Sequence, residues 1–253
     1  MDTTPRRDLG SLRKSEIILG FIWWFMFLLG TQLIVGVILA LWGYDISNLS
    51  GPGFEKLNFW NSLCNLIAIV LIFRHFLAQQ GKRALKNLGP VIGTALLGFV
   101  IYMGLNIAMN VLTELLIRTS GVDYYNANQD AVEELITGNP QAGVLVALIS
   151  APIVEECLNR GLIFGLIYKK NRILAYAVSM LVFAAIHVVG AAFSQNVLVS
   201  VISILTYLVP GFVLAWAYER TGTIWTSILI HLGINTIATI AMLLLPQLER
   251  YVG

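Results

Sequence analysis

The sequence predicts an all-α fold, a polytopic transmembrane helical bundle of about seven spans. Three observations predict it. Of 253 residues, 57% are hydrophobic and 12% charged, about half the ~25% charged content of soluble domains. The mean hydropathy is +0.78. The apolar residues also fall into runs of ~20, the length that crosses a bilayer core as a helix. A water-soluble fold is thereby excluded. The formal net charge of +2 is too small to indicate nucleic-acid binding, and the basic residues sit in short loops where they report topology. Cys64 and Cys157 both lie inside apolar runs, so each is expected to be a small buried hydrophobe and not part of a disulfide framework.

The first run, Ile17 to Trp42, follows Arg6, Arg7, Arg13 and Lys14. It is too long for a signal-peptide core of ~7 to 15 residues and has no small-residue cleavage site, so it is an uncleaved first span. The next runs are Phe59 to Phe76, Pro90 to Ile117, Ala142 to Tyr168, Ile173 to Val189, Val197 to Tyr218 and Thr223 to Leu245. A break at the glycines of the Pro90 to Ile117 run would raise the total to eight. Trp23 and Trp24 are placed near the interface and the other bulky residues of span one in lipid. Pro152 and Pro210 each remove a backbone donor within an apolar run and predict bends.

Sorting Lys and Arg over alternate loops gives a lopsided split. Arg6, Arg7, Arg13, Lys14, Arg74, Lys82, Arg83, Lys86, Lys169, Lys170, Arg172 and Arg220 fall on one side; Lys56, Arg118 and Arg250 fall on the other. The positive-inside rule makes the N-terminus cytoplasmic. The Arg118 to Pro140 loop then faces outward, and Asp130 with Glu133 predicts a capped surface helix ending near Gly138. With no repeat, low-complexity tract or nucleotide-binding glycine loop, residues 1–253 are expected to form a single membrane domain.

Function is sought among residues that lipid would reject. In the fourth run Glu155, Glu156 and Arg160 lie within two turns, and a charged residue at mid-span costs roughly 2.5 to 3.5 kcal/mol on insertion scales unless paired or in a wet cavity. Glu156 and Arg160 are at i,i+4 with the acid first, the favourable order for an ion pair. Glu155 points about 100° away, with no such partner. Downstream, His187 closes Phe183-Ala-Ala-Ile-His187, while His231 and Asn235 share a helix face. Counted from the basic ends at ~1.5 Å per residue, Glu155, His187 and Asn235 lie ~18 to 22 Å deep and His231 ~12 Å. A carboxylate, two imidazoles and a carboxamide can therefore meet, supplying a base for water, a second proton carrier and oxyanion donors. Singly, an intramembrane His or Asn most often serves a helix–helix hydrogen bond; Asn106 and Asn110, which share a face with Glu114 one turn on, either line the cavity or, the preferred reading, bond between helices. His75 is assigned no chemistry.

In order, Glu155-Glu156-x-x-x-Arg160, Phe183-x-x-x-His187 and His231-x-x-x-Asn235 on successive apolar helices resemble the three motifs of the CPBP intramembrane proteases. That family includes the type II CAAX prenyl endopeptidases and the bacterial Abi-type bacteriocin-processing or immunity proteins. The resemblance covers residues 141–245 as a catalytic core, with 17–117 as accessory spans. It implies that Glu155 acts with His187 to activate water, that His231 and Asn235 stabilise the oxyanion, and that Glu156 and Arg160 are structural. Asn159, at i+4 from Glu155, departs from the family's usual apolar residues and is placed to bond that acid.

Glu155, His187 and His231 would suit zinc, with three protein ligands and an open position; a metal-free glutamate mechanism is the preferred form. The expected function is an intramembrane endopeptidase of the bacterial plasma membrane. Its partners would be the bilayer and a small membrane-associated peptide or membrane protein as substrate, with no nucleic acid. The alternative on the same fold is a non-catalytic binding or bacteriocin-immunity protein. A metal carrier is disfavoured, since there is no His-rich loop.

Overall fold

The computed structural model describes residues 7–47, 52–188 and 196–252, with the side chains of residues 127 and 245–252 outside the description. Among the described residues all regular structure is helical. The helices are α1 (Lys14–Leu41), α2 (Pro52–Ile72), α3 (Arg74–Lys86), α4 (Leu88–Ser120), α5 (Ala127–Gly138), α6 (Pro140–Tyr168), α7 (Arg172–Val188), α8 (Val197–Thr221) and α9 (Ile224–Val252). By length and composition α1, α4, α6, α8 and α9 can each cross a membrane, and α2 with α3 passes as a bent pair. The seventh apolar helix is the shorter α7. Each predicted run thus has its helix, although Val189, the end of the fifth, lies outside the described residues. The Pro90 to Ile117 run forms one unbroken helix, so the eight-span count is not realised.

Three expectations change at the edges of the spans. The second run was expected to continue to Phe76, but α2 ends at Ile72 and α3 turns away by 78°. The reason is amphipathicity: Phe76, Gln80 and Ala84 are buried at i,i+4,i+8 while Arg74, Lys82, Arg83 and Lys86 belong to the same helix. Such a helix lies along a membrane surface more readily than across the core. The cap of α5 is not the Asp130–Glu133 pair. Asn126 accepts a hydrogen bond from the Gln129 amide and starts the helix earlier, while the end at Gly138 is as expected. Cys64 is exposed, not buried; Cys157 is fully buried.

Trp23 also departs from the interfacial role expected for it. Its indole Nε1 donates to Asn65 Oδ1 at 3.0 Å, and Asn65 Nδ2 donates to Thr31 Oγ1 at 2.9 Å. These bonds join α1 to α2 through buried polar groups, which have no water alternative in a bilayer.

The basic segments gather at one end of the bundle. The Leu9 carbonyl accepts from Gln80 Nε2 and from the Tyr218 hydroxyl, each at 2.9 Å, and Arg83 bonds the carbonyl and carboxylate of Asp8. Fully buried Gln80 also accepts from the Ile224 amide at 2.9 Å and, through its carbonyl, from Thr223 Oγ1 at 3.0 Å. Across the same end, Arg172 pairs with Glu219, which Tyr168 and Tyr176 also bond. The N-terminal segment, α3, the α6–α7 turn and the α8–α9 turn are therefore tied together, as the alternation of charged loops requires.

The helix α6 lies deepest. Half of its most apolar window is buried, against 17% for α4, so the acids it carries are surrounded by protein. It is α-helical at Ala151–Glu156 and π-helical on both sides, at Leu145–Ser150 and Cys157–Phe164. Such stretches, of which α1 holds another at Met26–Gly30, are frequent at functional sites. Pro152 lies inside this continuous helix, where the first π stretch gives way to the α segment, and supplies no backbone donor there.

Candidate active site

Glu156 and Arg160 form the ion pair that the spacing predicts, with Nη1 to Oε1 at 3.0 Å and both side chains fully buried. Arg160 Nη2 also donates to the Gly211 carbonyl at 3.1 Å, and the guanidinium lies 4.4 Å from the Phe183 ring centroid. Gly211 also lets α8 pass close to α7: a Cβ there would stand 3.2 Å from the Met180 Cα, tighter than nearly all real contacts. Arg160 thereby fastens α6 to α8 and to the face of Phe183 on α7.

His187 Nδ1 lies 2.7 Å from the Phe183 carbonyl. A carbonyl can only accept, so Nδ1 carries the proton and Nε2 presents a lone pair. His231 Nδ1 lies 3.1 Å from Glu156 Oε1, and the same argument protonates Nδ1 and frees Nε2. Both free nitrogens face one atom. Glu155 Oε2 is 3.5 Å from His187 Nε2 and 3.9 Å from His231 Nε2, with the Glu155 side chain 12% exposed. No hydrogen bond is made to this oxygen. Three acceptors thus converge, an arrangement stable when they share a proton and suited to taking one from a bound molecule.

This geometry revises the role of Glu156. It was expected to be structural alone, yet its Oε1 holds His231 as well as Arg160, so it also fixes that histidine's tautomer. Asn159 does not bond Glu155: it is buried, and neither of its amide atoms has a hydrogen-bond partner. The π-helical turn that begins at Cys157 alters the i,i+4 register on which that expectation relied. Asn235 joins the site from α9, with Nδ2 donating to the Ala147 carbonyl at 2.7 Å; its other amide hydrogen remains for a ligand.

The site faces a cavity of about 460 Å³ whose wall includes His187, His231 and Asn235. Asn106 and Asn110 also line it, so they do not bridge helices as expected. One residue the sequence reading passed over is Tyr207. Its ring stacks on His187 at 4.4 Å and 23°, and its hydroxyl donates to Asn126 Oδ1 and accepts from Asn128 Nδ2. A phenol in mid-span requires such polar partners, and that requirement was the available signal.

Among the described residues no group of three or more His, Cys, Asp or Glu is arranged to hold a metal ion.

Known proteins resemble this chain over the region that carries the site. The profile of the family described as type II CAAX prenyl endopeptidase Rce1-like matches residues 137–237, which include every residue of the cluster. A Bacillus subtilis (strain 168) protein named "Putative membrane peptidase YdiL" is 28% identical over 188 residues, covering 72% of this chain and 71% of its own. No solved structure matches.

Proposed function

We propose that this chain, which is similar over residues 137–237 to the type II CAAX prenyl endopeptidase Rce1-like family, is an intramembrane endopeptidase of the CPBP type. One observation carries the reading: Glu155 Oε2 faces the free Nε2 atoms of His187 and His231, each ring held by a partner on its other nitrogen. A carboxylate so placed can take a proton from water as the oxygen adds to a peptide carbonyl, and His187 can carry that proton to the leaving amine. The free amide hydrogen of Asn235, and His231 when the proton shared among Glu155 and the two imidazoles sits on its Nε2, would stabilise the oxyanion. The Phe183 carbonyl and Glu156 orient the two imidazoles.

In this reading residues 141–245 form the catalytic core, the earlier spans are accessory, and the protein resides in the bacterial plasma membrane with its N-terminus cytoplasmic. The substrate is a small membrane-associated peptide or a membrane protein. The test is cleavage of a fluorogenic peptide panel and of unfolded casein by detergent-purified protein, with metal analysis of the same sample. Cleavage is expected from wild type and from chelator-treated protein, and none from Glu155→Gln, His187→Ala or His231→Ala. Wild-type rates in Glu155→Gln would sink the assignment; loss on chelation with recovery on zinc would replace the metal-free form.

A further inference from the structure

A second cavity, of about 500 Å³, opens at the basic end of the bundle and shares no wall residue with the one in front of the candidate site. It lies between the N-terminal segment, the start of α4 and the end of α8, and its wall includes Arg7, Asn87, Thr94 and Arg220. Arg220 belongs to the last turn of α8, and its guanidinium lies 5.4 Å from the ring centroid of Trp216, one turn back. Arg7 runs over the α8–α9 turn, where Gly222 has φ +71° and a Cβ would stand 3.6 Å from Arg7 Cδ and Nε. Asn87 turns its Nδ2 back onto the Arg83 carbonyl at 3.1 Å, so it precedes α4 without capping it.

The charge of this cavity is uncompensated. The acids next in sequence to the two arginines are committed elsewhere, Asp8 to Arg83 and Glu219 to Arg172. Among the described residues no Asp or Glu lines the cavity, and none pairs with Arg7 or Arg220. Thr94 is only 7% exposed, lines the cavity and makes no hydrogen bond within the described protein. A helical threonine can bond the carbonyl one turn back, as Thr119, Thr137 and Thr236 do here; the Thr94 hydroxyl is left to meet a molecule in the cavity. The first amides of α4, uncapped by Asn87, add the positive end of a 33-residue helix. Basic residues needed for topology alone would be free to point into solvent, whereas these two share a cavity with a buried hydroxyl. Two guanidiniums, a hydroxyl and a helix N-terminus make a donor set for phosphate.

The surface below the cavity suits apolar chains. Thr94 stands ~9 Å along α4 from its first residue, near the level where headgroups give way to hydrocarbon. Leu97 lies one turn below the wall residue Gly93 on the same face, and it is exposed, as are Leu96 and Val100 beside it. Basic pockets between transmembrane helices hold anionic headgroups in this way. We propose that this cavity is a phosphate-binding site that holds the anionic headgroup of a phospholipid of the leaflet at the basic end, with Arg7, Arg220 and Thr94 on the phosphate and the acyl chains along α4. Occupancy joins the N-terminal segment to α4 and α8 and so stabilises the fold. The inference goes beyond the protease reading and does not depend on it.

The test is a set of melting curves of the full chain, delipidated in a neutral detergent and titrated with phosphatidylglycerol. Phosphatidylcholine, whose headgroup has no net charge, and glycerol 3-phosphate, which lacks acyl chains, are titrated in parallel. Phosphatidylglycerol should raise the melting temperature saturably, and the other two much less. No rise with phosphatidylglycerol, or an equal rise with phosphatidylcholine, overturns anion recognition. An equal rise with glycerol 3-phosphate at the same concentration supports the phosphate site and overturns the lipid as its occupant. Arg7→Gln and Arg220→Gln should each shift the midpoint of the phosphatidylglycerol titration upward roughly five-fold. Lys170→Gln removes a charge at the same end but outside the cavity wall, and it should leave the midpoint unchanged. An equal shift in Lys170→Gln means diffuse surface attraction and overturns the site. Thr94→Val, which matches the shape and suits an apolar helix, covers the case in which an arginine variant fails to fold. It should keep the lipid-free melting temperature and raise the midpoint several-fold; an unchanged midpoint overturns the hydroxyl's place on the phosphate.

Discussion

Two adjacent glutamates, turned about 100° apart on the helix, set the logic at the scale of the residue. Glu156 is fully buried and bound to Arg160; Glu155 is partly exposed and faces two imidazoles. Removing one partner of a buried pair strands the other's charge and typically costs ~3 to 5 kcal/mol. Glu156→Ala and Arg160→Ala should therefore each lower abundance and melting temperature in detergent, with the double variant no worse than either single one. Glu155→Ala should keep near-normal stability and lose activity. Because Oε1 of Glu156 also holds His231, an intermediate case exists. Glu156→Gln should fold better than Glu156→Ala and still turn over slowly, since its amide cannot hold the imidazole and the guanidinium as the carboxylate does. A Glu156→Ala protein as stable as wild type, with Glu155→Ala clearly destabilised, would reverse the two roles. Tyr207 is a positioning residue by the same reasoning. Tyr207→Phe keeps the stacked ring but loses the bonds to Asn126 and Asn128, so kcat should fall modestly while the melting temperature holds; Tyr207→Ala, which frees the His187 ring, should lower kcat much further.

Among the elements, α3 shows what a hydropathy pattern conveys and what it hides. The run from Phe59 reads as a span through Phe76, because Phe73 and Phe76 are apolar and periodicity alone does not mark a bend. The bend is fixed by long-range polar contacts: Glu16, 2% exposed, accepts from the Arg13 amide and from the Phe76 amide at the start of α3. A single acid so closes the first turns of two helices distant in sequence, and no local spacing announces it. The candidate site was more legible, because its residues are polar groups in apolar helices and the membrane leaves such groups few explanations. What the sequence could not supply was the π-helical register of α6, which unseats the expected Asn159–Glu155 bond, and the partner of Asn235.

Gln80 gives the test at this scale. Gln80→Leu would leave the Ile224 amide without its acceptor and the Leu9 carbonyl with Tyr218 as its remaining donor, at roughly 1 to 3 kcal/mol for a group left unsatisfied. The expected outcome is a lower melting temperature with faster proteolytic nicking near Leu9. The neighbouring Asp8 contributes less. Its carboxyl is held below the usual 3.8 by the Gly10 amide and then by Arg83, so its pairing is present above that value and is lost as pH falls through the lowered one. The carboxylate is 79% exposed, so Asp8→Asn should change stability by less than ~1 kcal/mol at neutral pH.

For the whole molecule the governing quantity is charge across the bilayer. The N-terminal segment, α3, the α6–α7 turn and the α8–α9 turn meet at one end through Arg83, Gln80, Tyr218 and Glu219. Reversing the protein would ask all of their arginines and lysines to be translocated together, against the bias that keeps basic loops cytoplasmic. The opposite end carries α5, with Asp130, Glu133 and Glu134; acidic residues hinder export little. The architecture therefore predicts that Asp130→Cys, in a Cys64→Ala background, reacts with an impermeant thiol reagent in intact cells, and that Lys82→Cys on α3 reacts only after permeabilisation. The two positions also differ in what they report about α2 and α3. If the bent pair were one straight span, the chain beyond it would still reach the basic side, but Lys82 would stand well away from Asp8 and the N-terminal strap. Cross-linking of cysteines at positions 8 and 83 by a bifunctional maleimide long enough to replace the reach of the arginine, whose guanidinium lies 2.6 Å from the Asp8 carboxylate, checks that packing in the membrane. Cross-linking at those positions with outward labelling at 130 is the expected pair of results; reaction at 130 only from the cytoplasmic side would refute the seven-span orientation.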